Sequence, residues 1–362
     1  METMSQQRDA FVDRVFQSIG GFFDVFTMYL GDRLGFYETL AAAGPLTPPE
    51  LAARTGTHER YVREWLEQQT VAGFLRVDDP AQPARERRYT LPPAHREVLA
   101  DRDSLYYLAP QAQLLNGAVR PIDQLLRAFR TGDGVDYREY GPDLREGQSR
   151  NNRVMFLKQL SQEWLAAMPD VLARLHADPP ARVAELGCGG GYAAIGMARH
   201  FPKIAIDGFD LDAPSVEMAR RNAAEAGLSA RVRFHVRDAG DPALAGQYDL
   251  VTAFECVHDM GRPVEALQSM RRLAREGGAV LVADERVGET FTGRSEDGFE
   301  RMMYGWSVLH CLPSGMCEHE SAGTGAVMRP HTLREYAMEA GFRDVETLPV
   351  DHAFFRFYRL HA

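Results

Sequence analysis

Lysine is nearly absent from this chain. Lys158 and Lys203 are its two lysines, so almost all of the 41 basic side chains are arginine. Codon bias in a GC-rich genome is the plain reading of that excess. The formal net charge is -10, which argues against a broad basic face for nucleic acid or anionic lipid. Cysteine is scarce too. Cys188, Cys256, Cys311 and Cys317 form no C-x-x-C pair and no even ladder of spacings. That excludes a disulfide framework and points to a reduced, cytoplasmic protein. No apolar run approaches the ~20 residues that a membrane-spanning helix requires. The opening METMSQQRDAF is too polar for a secretory signal. Internal repeats and low-complexity tracts are lacking as well.

What is present is an ordinary globular composition, 45% hydrophobic and 25% charged over 362 residues, and that length favours two domains. Phe11, Val15, Phe16, Ile19, Phe22, Phe23 and Phe26 recur at three or four, which predicts helix over 9–40. Thr47, Pro48 and Glu50 then form a capping box with proline in the first turn, and Gly56 ends that helix. A second helix runs from Thr57 to Gly73 and carries Tyr61, Val62, Trp65 and Leu66. FLRVDD and RRYTLPP read as two short strands. Helix, helix, hairpin is a winged helix-turn-helix pattern. A DNA reader gains affinity by neutralising phosphates. Here Glu59, Glu64 and Glu67 offset Arg60 and Arg63, and residues 1–100 hold 11 arginines against 14 acids, a net of -3. A packing, dimerising or substrate-covering module is therefore the expectation.

Residues 101–178 read as a helical linker with one break. TGDGVDYREYGPDLREGQSRNN, holding Tyr137 and Tyr140, is polar and glycine-rich, as irregular lids often are, or as a plain surface connection is. FLKQLSQEWLAAMPDVLARL predicts one amphipathic helix, and ADPPAR closes it near residue 178. The expected organisation is thus 1–100 winged helix, 101–178 linker and lid, and 179–362 an α/β domain. In that last part strands and helices alternate: strand 183–186, helix 191–200, strand 204–209, helix 213–227, the strands RVRFHV and YDLVTAF, the helix RPVEALQSMRRLAREG and the strand GAVLVADE. Such alternation builds a parallel sheet covered on both faces. FRDVETLPV and FFRFYRL are too close together for a crossover and predict a terminal antiparallel hairpin.

One stretch raises the chemical question. In RVAELGCGGGYAAIGMARH a strand ends and Gly187, Gly189 and Gly191 follow, just ahead of a helix. Glycines let backbone approach a ligand closely, and the helix start offers free N–H groups. A nicotinamide dinucleotide uses a similar turn, but its G-x-G-x-x-A register would begin two residues late. The natural register is E-x-G-x-G-x-G, from Glu185 through Gly191. Asp210 ends the second strand, where an acid accepts from ribose hydroxyls in either class of enzyme. Asp238 after the third strand suits an exocyclic adenine amine, with the N–H of Ala239 beside it. Glu185 suits an ammonium and would repel a pyrophosphate.

AELGCGGGY, GFDLD, VRDAGD and YDLVTAFECVHD stand in order and at the spacing of successive motifs of the class I S-adenosylmethionine (SAM)-dependent methyltransferases, which residues 180–362 resemble. YGPDLREGQSRNNRVMF, VLHCLPSGM and GTGAVMRPHTLREYAMEAGFRDVE extend the resemblance to bacterial winged-helix members of that family. It implies a Rossmann-like seven-stranded sheet with an antiparallel last strand and SAM as cofactor. It also places Cys188, Leu211 and Phe254 in cofactor motifs. It further implies a small-molecule methyl acceptor with O-methylation favoured over N- or C-methylation, and a homodimer without nucleic acid or membrane partners. A regulator that senses SAM through a degenerate domain is the alternative.

Methyl transfer from a sulfonium is an in-line displacement, so most of the work is positioning and exclusion of water. A neutral hydroxyl acceptor also needs a base. His258 leads, because His258-Asp259 resembles the HD pair of plant and actinomycete O-methyltransferases, whose histidine is the base. A brace for the loop is the other reading of His258, and Asp259 either orients the ring or caps the next helix. Glu255 and Glu285 lie at the same sheet edge and are candidates to face the methyl or the acceptor. His310 is a candidate cavity residue or a core histidine. Met302, Met303, Tyr304 and Trp306 form a pocket wall or plain core. Cys311, Cys317 and His319 have poor spacing for a metal, and none is expected.

Overall fold

The computed structural model describes residues 3–294 and 298–362, so Met1 and Glu2 of the opening stretch and residues 295–297 lie outside the described residues. The chain divides into two compact units, Met1–Asn116 and Gly117–Ala362.

In the first unit the expected helix over 9–40 is two helices. α1 (Met4–Arg33) stops where Gly35 takes φ +69°, and α2 (Phe36–Ala43) restarts beyond it. α3 (Pro48–Thr55) opens on the Thr47–Glu50 capping box, with Thr47 N–H donating to Glu50 Oε2 at 2.8 Å. Gly56 ends it in the left-handed region. α4 (Glu59–Val71) begins later than expected, because His58 is its cap and accepts from the Arg60 N–H. β1 (Arg76–Val77) pairs antiparallel with β2 (Tyr89–Thr90), completing a winged helix-turn-helix, and α5 (Pro93–Leu99) follows. Phe36, Tyr37, Leu51, Val62, Trp65 and Leu66 form its core. Both arginines of α4 are paired: Arg60 with Glu64, and Arg63 with Glu59 at 3.5 Å. Arg87 of the wing meets Glu67 at 2.8 Å.

The next helices are α6 (Ala109–Val119), α7 (Ile122–Thr131), α8 (Gly141–Lys158) and α9 (Pro169–His176). Two expectations are corrected here. The stretch from 131 to 152 is not an irregular lid: a 3₁₀ turn spans Tyr137–Tyr140, and α8 starts at Gly141 with Pro142 in its first turn. A proline costs nothing there, since that N–H would be unpaired in any case. The single helix over 156–175 is also broken. A π turn at Leu160–Trp164 and a 3₁₀ turn at Leu165–Ala167 intervene, and Pro169 restarts the chain as α9. Proline inside a helix removes a donor and collides with the preceding turn.

The remaining strands are β3 (Arg182–Leu186), β4 (Ala205–Asp210), β5 (Val232–Val236), β6 (Tyr248–Phe254), β7 (Ala274–Glu285), β8 (Asp344–Thr347) and β9 (Phe355–His361), ordered β5-β4-β3-β6-β7-β9-β8. β3 to β7 are mutually parallel, and β9 runs antiparallel to both β7 and β8. The helices are α10 (Tyr192–His200), α11 (Ala213–Glu225), α12 (Pro263–Leu273), α13 (Gly298–Trp306), α14 (Leu312–Gly315) and α15 (Pro330–Glu339). α12 is shorter than expected because Ala274 already pairs with Tyr248 as the start of β7. Alternation along the strands feeds two cores. Val183, Ile206, Phe234 and Leu281 pack with Ile195 and Val216. Ala184, Leu186, Val251 and Val280 pack with Leu267 and Leu333 on the other face. Trp164, 1% exposed, sits among Phe156, Phe254, Phe355 and Phe357. Strand order reverses between β3 and β6, and such a switch point opens a crevice at the carboxyl ends of the strands.

Candidate active site

The glycine turn leaves β3 at that crevice. Glu185 alternates with Val183, so its side chain enters the face covered by α10, where it accepts from the Ala194 backbone N–H. Burial pushes its carboxyl up to about 8, and Oε2 has no hydrogen-bond partner. Gly187, Gly189 and Gly191 all have positive φ, at +64°, +48° and +76°. A side chain at Gly191 would strike the Phe234 ring at 2.5 Å, whereas one at Gly189 would meet nothing within 4 Å. The open side of Gly189 is where a ligand can lie against bare backbone. Cys188 is buried and ties the turn down, its N–H donating to Phe209 and its carbonyl accepting from Gly191.

Asp210 closes the cradle from β4. One of its oxygens accepts from the Gly189 N–H at 2.8 Å and the other from the Asp212 N–H at 2.9 Å. Leu211 beside it is 65% exposed, an apolar side chain with no cover. Asp238 follows β5, accepts from the Gly240 N–H at 2.8 Å and pairs with Arg262 at 3.3 Å, and Ala239 next to it is half-buried. Phe254, at the end of β6, turns its ring into the core against Phe156.

The opposite wall is a buried cluster of charge. His258 is 3% exposed, and both ring nitrogens lie against carboxylates: Nδ1 is 2.5 Å from Asp284 and 2.9 Å from Glu285, while Nε2 is 3.1 Å from Asp259. Burial by itself would lower the pKa of His258, but Asp259, Asp284 and Glu285 outweigh it and hold the ring protonated well above the ordinary imidazole range. In return His258 overcomes burial at Asp259, bringing that carboxyl down to about 2. Burial drives Glu285 well up. Each ring nitrogen of His258 thus faces a carboxylate. Glu255 adjoins the cluster at φ +56°, a conformation that non-glycine residues seldom adopt and that gathers at functional sites. It accepts from Gln148 at 2.9 Å and from Asn152, and burial lifts its carboxyl to about 7.

His310 stands beyond Asp259 on a π turn, Ser307–Cys311, between α13 and α14. Its ring meets those of Tyr137 and Tyr140 edge-on at 5.8 and 4.7 Å. The Tyr140 hydroxyl donates to the Leu309 carbonyl at 3.0 Å, so Tyr140 is a packed, buried side chain. Tyr304 is 38% exposed and accepts from Arg329 at 3.0 Å, while Met303 of the same helix is buried. His258, Asp284 and Glu285 can jointly offer ligand atoms to a cation, as can His258, Asp259 and Cys311. The close histidine–carboxylate pairing already uses those atoms.

Sequence reasoning missed Asp284, Gln148, Asn152 and Arg145. Arg145 pairs with Asp212 at 2.5 Å. A signal existed on α8, where Arg145, Gln148, Ser149 and Asn152 fall at helical spacing on one polar stripe.

The family profile described as a methyltransferase domain matches residues 177–336, and the one described as an Rv2258c-like winged HTH domain matches residues 25–101. The chain belongs to the SAM-dependent methyltransferases that carry an N-terminal winged helix. SAM is the methyl donor of this methyltransferase, and the nicotinamide reading of the glycine turn is set aside. Acetylserotonin O-methyltransferase of Mus musculus molossinus is 29% identical to the methyltransferase over 282 residues, covering 73% of this chain and 70% of that one. A ubiquinone biosynthesis O-methyltransferase of Pectobacterium carotovorum is 32% identical over 100 residues, 28% of this chain and 41% of that protein's length. Among solved structures, the mitomycin 7-O-methyltransferase MmcR has a TM-score of 0.71 at 20% identity, covering 99% of each chain. Human N-acetylserotonin methyltransferase in complex with SAM has a TM-score of 0.71 at 16% identity, covering 100% of this chain and 99% of that one. These structures share the methyltransferase's fold.

Proposed function

We propose that the chain methylates a hydroxyl oxygen of a small molecule. The observation that carries this reading is the adjacency, at one sheet edge, of a bare glycine cradle and a buried histidine–carboxylate cluster. Bound SAM supplies an electrophilic methyl group on a sulfonium. Gly187, Cys188, Gly189 and Gly191 hold its amino-acid end, helped by the unpartnered Glu185 oxygen behind the turn. Asp210 takes the ribose, its two oxygens each keeping a lone pair beyond their backbone bonds. The uncovered Leu211 side chain suits an adenine face, and Asp238 with the Ala239 N–H suits its edge. Phe254 shapes the floor from within the core. Asp259, His258 and Glu255 fix the acceptor side, with Glu285, Tyr137, Tyr140, Tyr304 and His310 around it. The names of the acetylserotonin and ubiquinone O-methyltransferases that the chain resembles support an oxygen as the methyl acceptor.

Positioning is the main contribution of these residues, since the reacting oxygen, carbon and sulfur must align. Burying the cluster removes water from that line. The test is SAM turnover against a panel of phenols, carboxylic acids, amines and carbon acids, read as S-adenosylhomocysteine released. Turnover with a phenol or carboxylic acid is expected, and methylation confined to amines or carbon overturns the reading.

The same proposal assigns the winged helix to dimerisation. Phe11, Phe16, Phe22 and Phe23 of α1 are 55% exposed or more, an apolar stripe that a second copy would cover. Ion pairing of both α4 arginines supports a partner other than nucleic acid. Four free thiols support residence in the cytoplasm. No helix among the described residues is long and apolar enough to cross a membrane.

A further inference from the structure

The side chains of α8 touch the carboxyl ends of three neighbouring strands and keep the order of those strands. Arg145 pairs with Asp212, two residues past β4. Ser149 packs on the turn that follows β3, so closely that a Cβ on Gly190 would lie 2.0 Å from its Oγ. Gln148 and Asn152 donate to Glu255, the first residue past β6. β4, β3 and β6 are adjacent in the sheet in that order. Strands stand ~4.8 Å apart, so the outer two are ~10 Å apart. Arg145 and Asn152 share one face of the helix, and at ~1.5 Å per residue they too are ~10 Å apart along it. The helix therefore matches the sheet edge and meets, one after another, the three segments that form the cofactor cradle.

The first of these contacts reaches a ligand-binding acid. Arg145 Nε lies 2.5 Å from Asp212 Oδ2, and the two side chains are 11% and 8% exposed. A pair buried to this degree returns little net stability after desolvation. What it fixes is geometry. The Asp212 backbone N–H donates to Asp210 Oδ1 at 2.9 Å, and the Asp212 carboxylate caps α11 by accepting from Ser215. Burial pushes the Asp210 carboxyl up, the N–H bonds from Asp212 and Gly189 draw it down, and the charge on Asp212 pushes it up again. The Arg145 guanidinium offsets that last charge. Tyr137 closes the other side, with the guanidinium 5.7 Å above its ring.

We propose that Arg145 is a positioning residue for the cofactor's ribose, holding and neutralising Asp212 so that Asp210 presents its carboxylate to the ribose hydroxyls. Asp210 touches the sugar, and Arg145 acts on it through Asp212. This role rests on the assignment of Asp210 to the ribose above, and it is independent of which acceptor atom is methylated. Without the guanidinium, Asp210 and Asp212 would share a buried corner as like charges, which disfavours ionisation of both. Relief comes from a proton on Asp210 or from Asp212 swinging away with the N–H that orients Asp210. Either response costs the ribose an acceptor.

The experiment measures affinity by calorimetry for two ligands, S-adenosylhomocysteine and its 2′,3′-dideoxy analogue, which lacks the ribose hydroxyls. Wild type should bind the first more tightly. Arg145→Gln should weaken S-adenosylhomocysteine at least about tenfold, the size expected when a hydrogen bond to a charged group is lost, and the analogue less than about threefold. Asp212→Asn removes the charge that Arg145 offsets while keeping a cap for α11. With both substitutions together, S-adenosylhomocysteine should therefore bind within about threefold of Asp212→Asn alone. Equal losses for the two ligands in Arg145→Gln, or a double variant as weak as the two single losses multiplied, overturn the assignment, because a pair that merely fastens α8 would behave so. Should Arg145→Gln not fold, Arg145→Lys takes its place, since an ammonium keeps the charge but not the Nε contact. A loss confined to S-adenosylhomocysteine then supports the assignment, and an equal loss for both ligands, or none, opposes it. A wild-type protein that binds the two ligands equally overturns the ribose role of Asp210 itself, and that of Arg145 with it.

Discussion

Gly189 and Gly191, two residues apart, show how one backbone turn divides its labour. At Gly191 the positive φ and the Phe234 ring both exclude a side chain, so the residue serves the fold. At Gly189 the backbone is left-handed but the space beside it is open, so the residue serves whatever lies there. We expect Gly191→Ala to lose roughly 1–3 kcal/mol of stability, the usual range for an enforced left-handed backbone, with the ring clash added. Gly189→Ala should keep more of its stability and weaken S-adenosylhomocysteine binding at least tenfold. Urea melts paired with calorimetry distinguish the two, and equal effects of both substitutions on binding and stability would refute the division.

At the level of elements, the turn after β6 and the end of β7 share one buried imidazolium. Removing it leaves Asp259 and Asp284 in a dry site without a counter-charge. Breaking a buried pair of this kind costs about 3–5 kcal/mol, and His258→Gln should show a loss of that size in denaturant melts at pH 7. The folded chain holds protons on His258, and on Glu285 and Glu255 by burial, that the unfolded chain gives up at lower pH. All three contributions are therefore complete in acid and decline as pH rises through the raised values. Wild-type stability should fall from about pH 4.5 through about 7 as Glu255 ionises and go on falling above 6.5 as His258 gives up its proton, and a rise over that range would contradict the charge assignment. The elements themselves were largely readable, because buried parallel strands such as YDLVTAF are apolar runs with abrupt ends. Gly187 to Gly191 were readable because a turn needs those residues locally. The pairing of His258 with Asp284 was not, since it joins residues 26 apart through sheet register. The Pro169 break was hidden by an apolar period that continued through it, and α8 was hidden by a composition resembling a loop.

Across the whole molecule, the apolar stripe of α1 is an exposed face that a second copy would cover. Phe16 and Phe23 are 68% and 58% exposed. Light scattering should give twice the chain mass for wild type and the chain mass for the doubly substituted Phe16→Glu, Phe23→Glu protein. A monomeric wild type at micromolar concentration would remove dimerisation from the proposal. The order of strands carries a different consequence. β9 lies between β7 and β8, so the interior strand comes later in the chain than the edge strand it holds. A nonsense codon between Thr347 and Phe355 would strip β8 of its neighbour and leave β7 with a bare row of amides and carbonyls, a template for aggregation. Late truncations should thus be cleared by proteases rather than persist as slightly shortened enzyme.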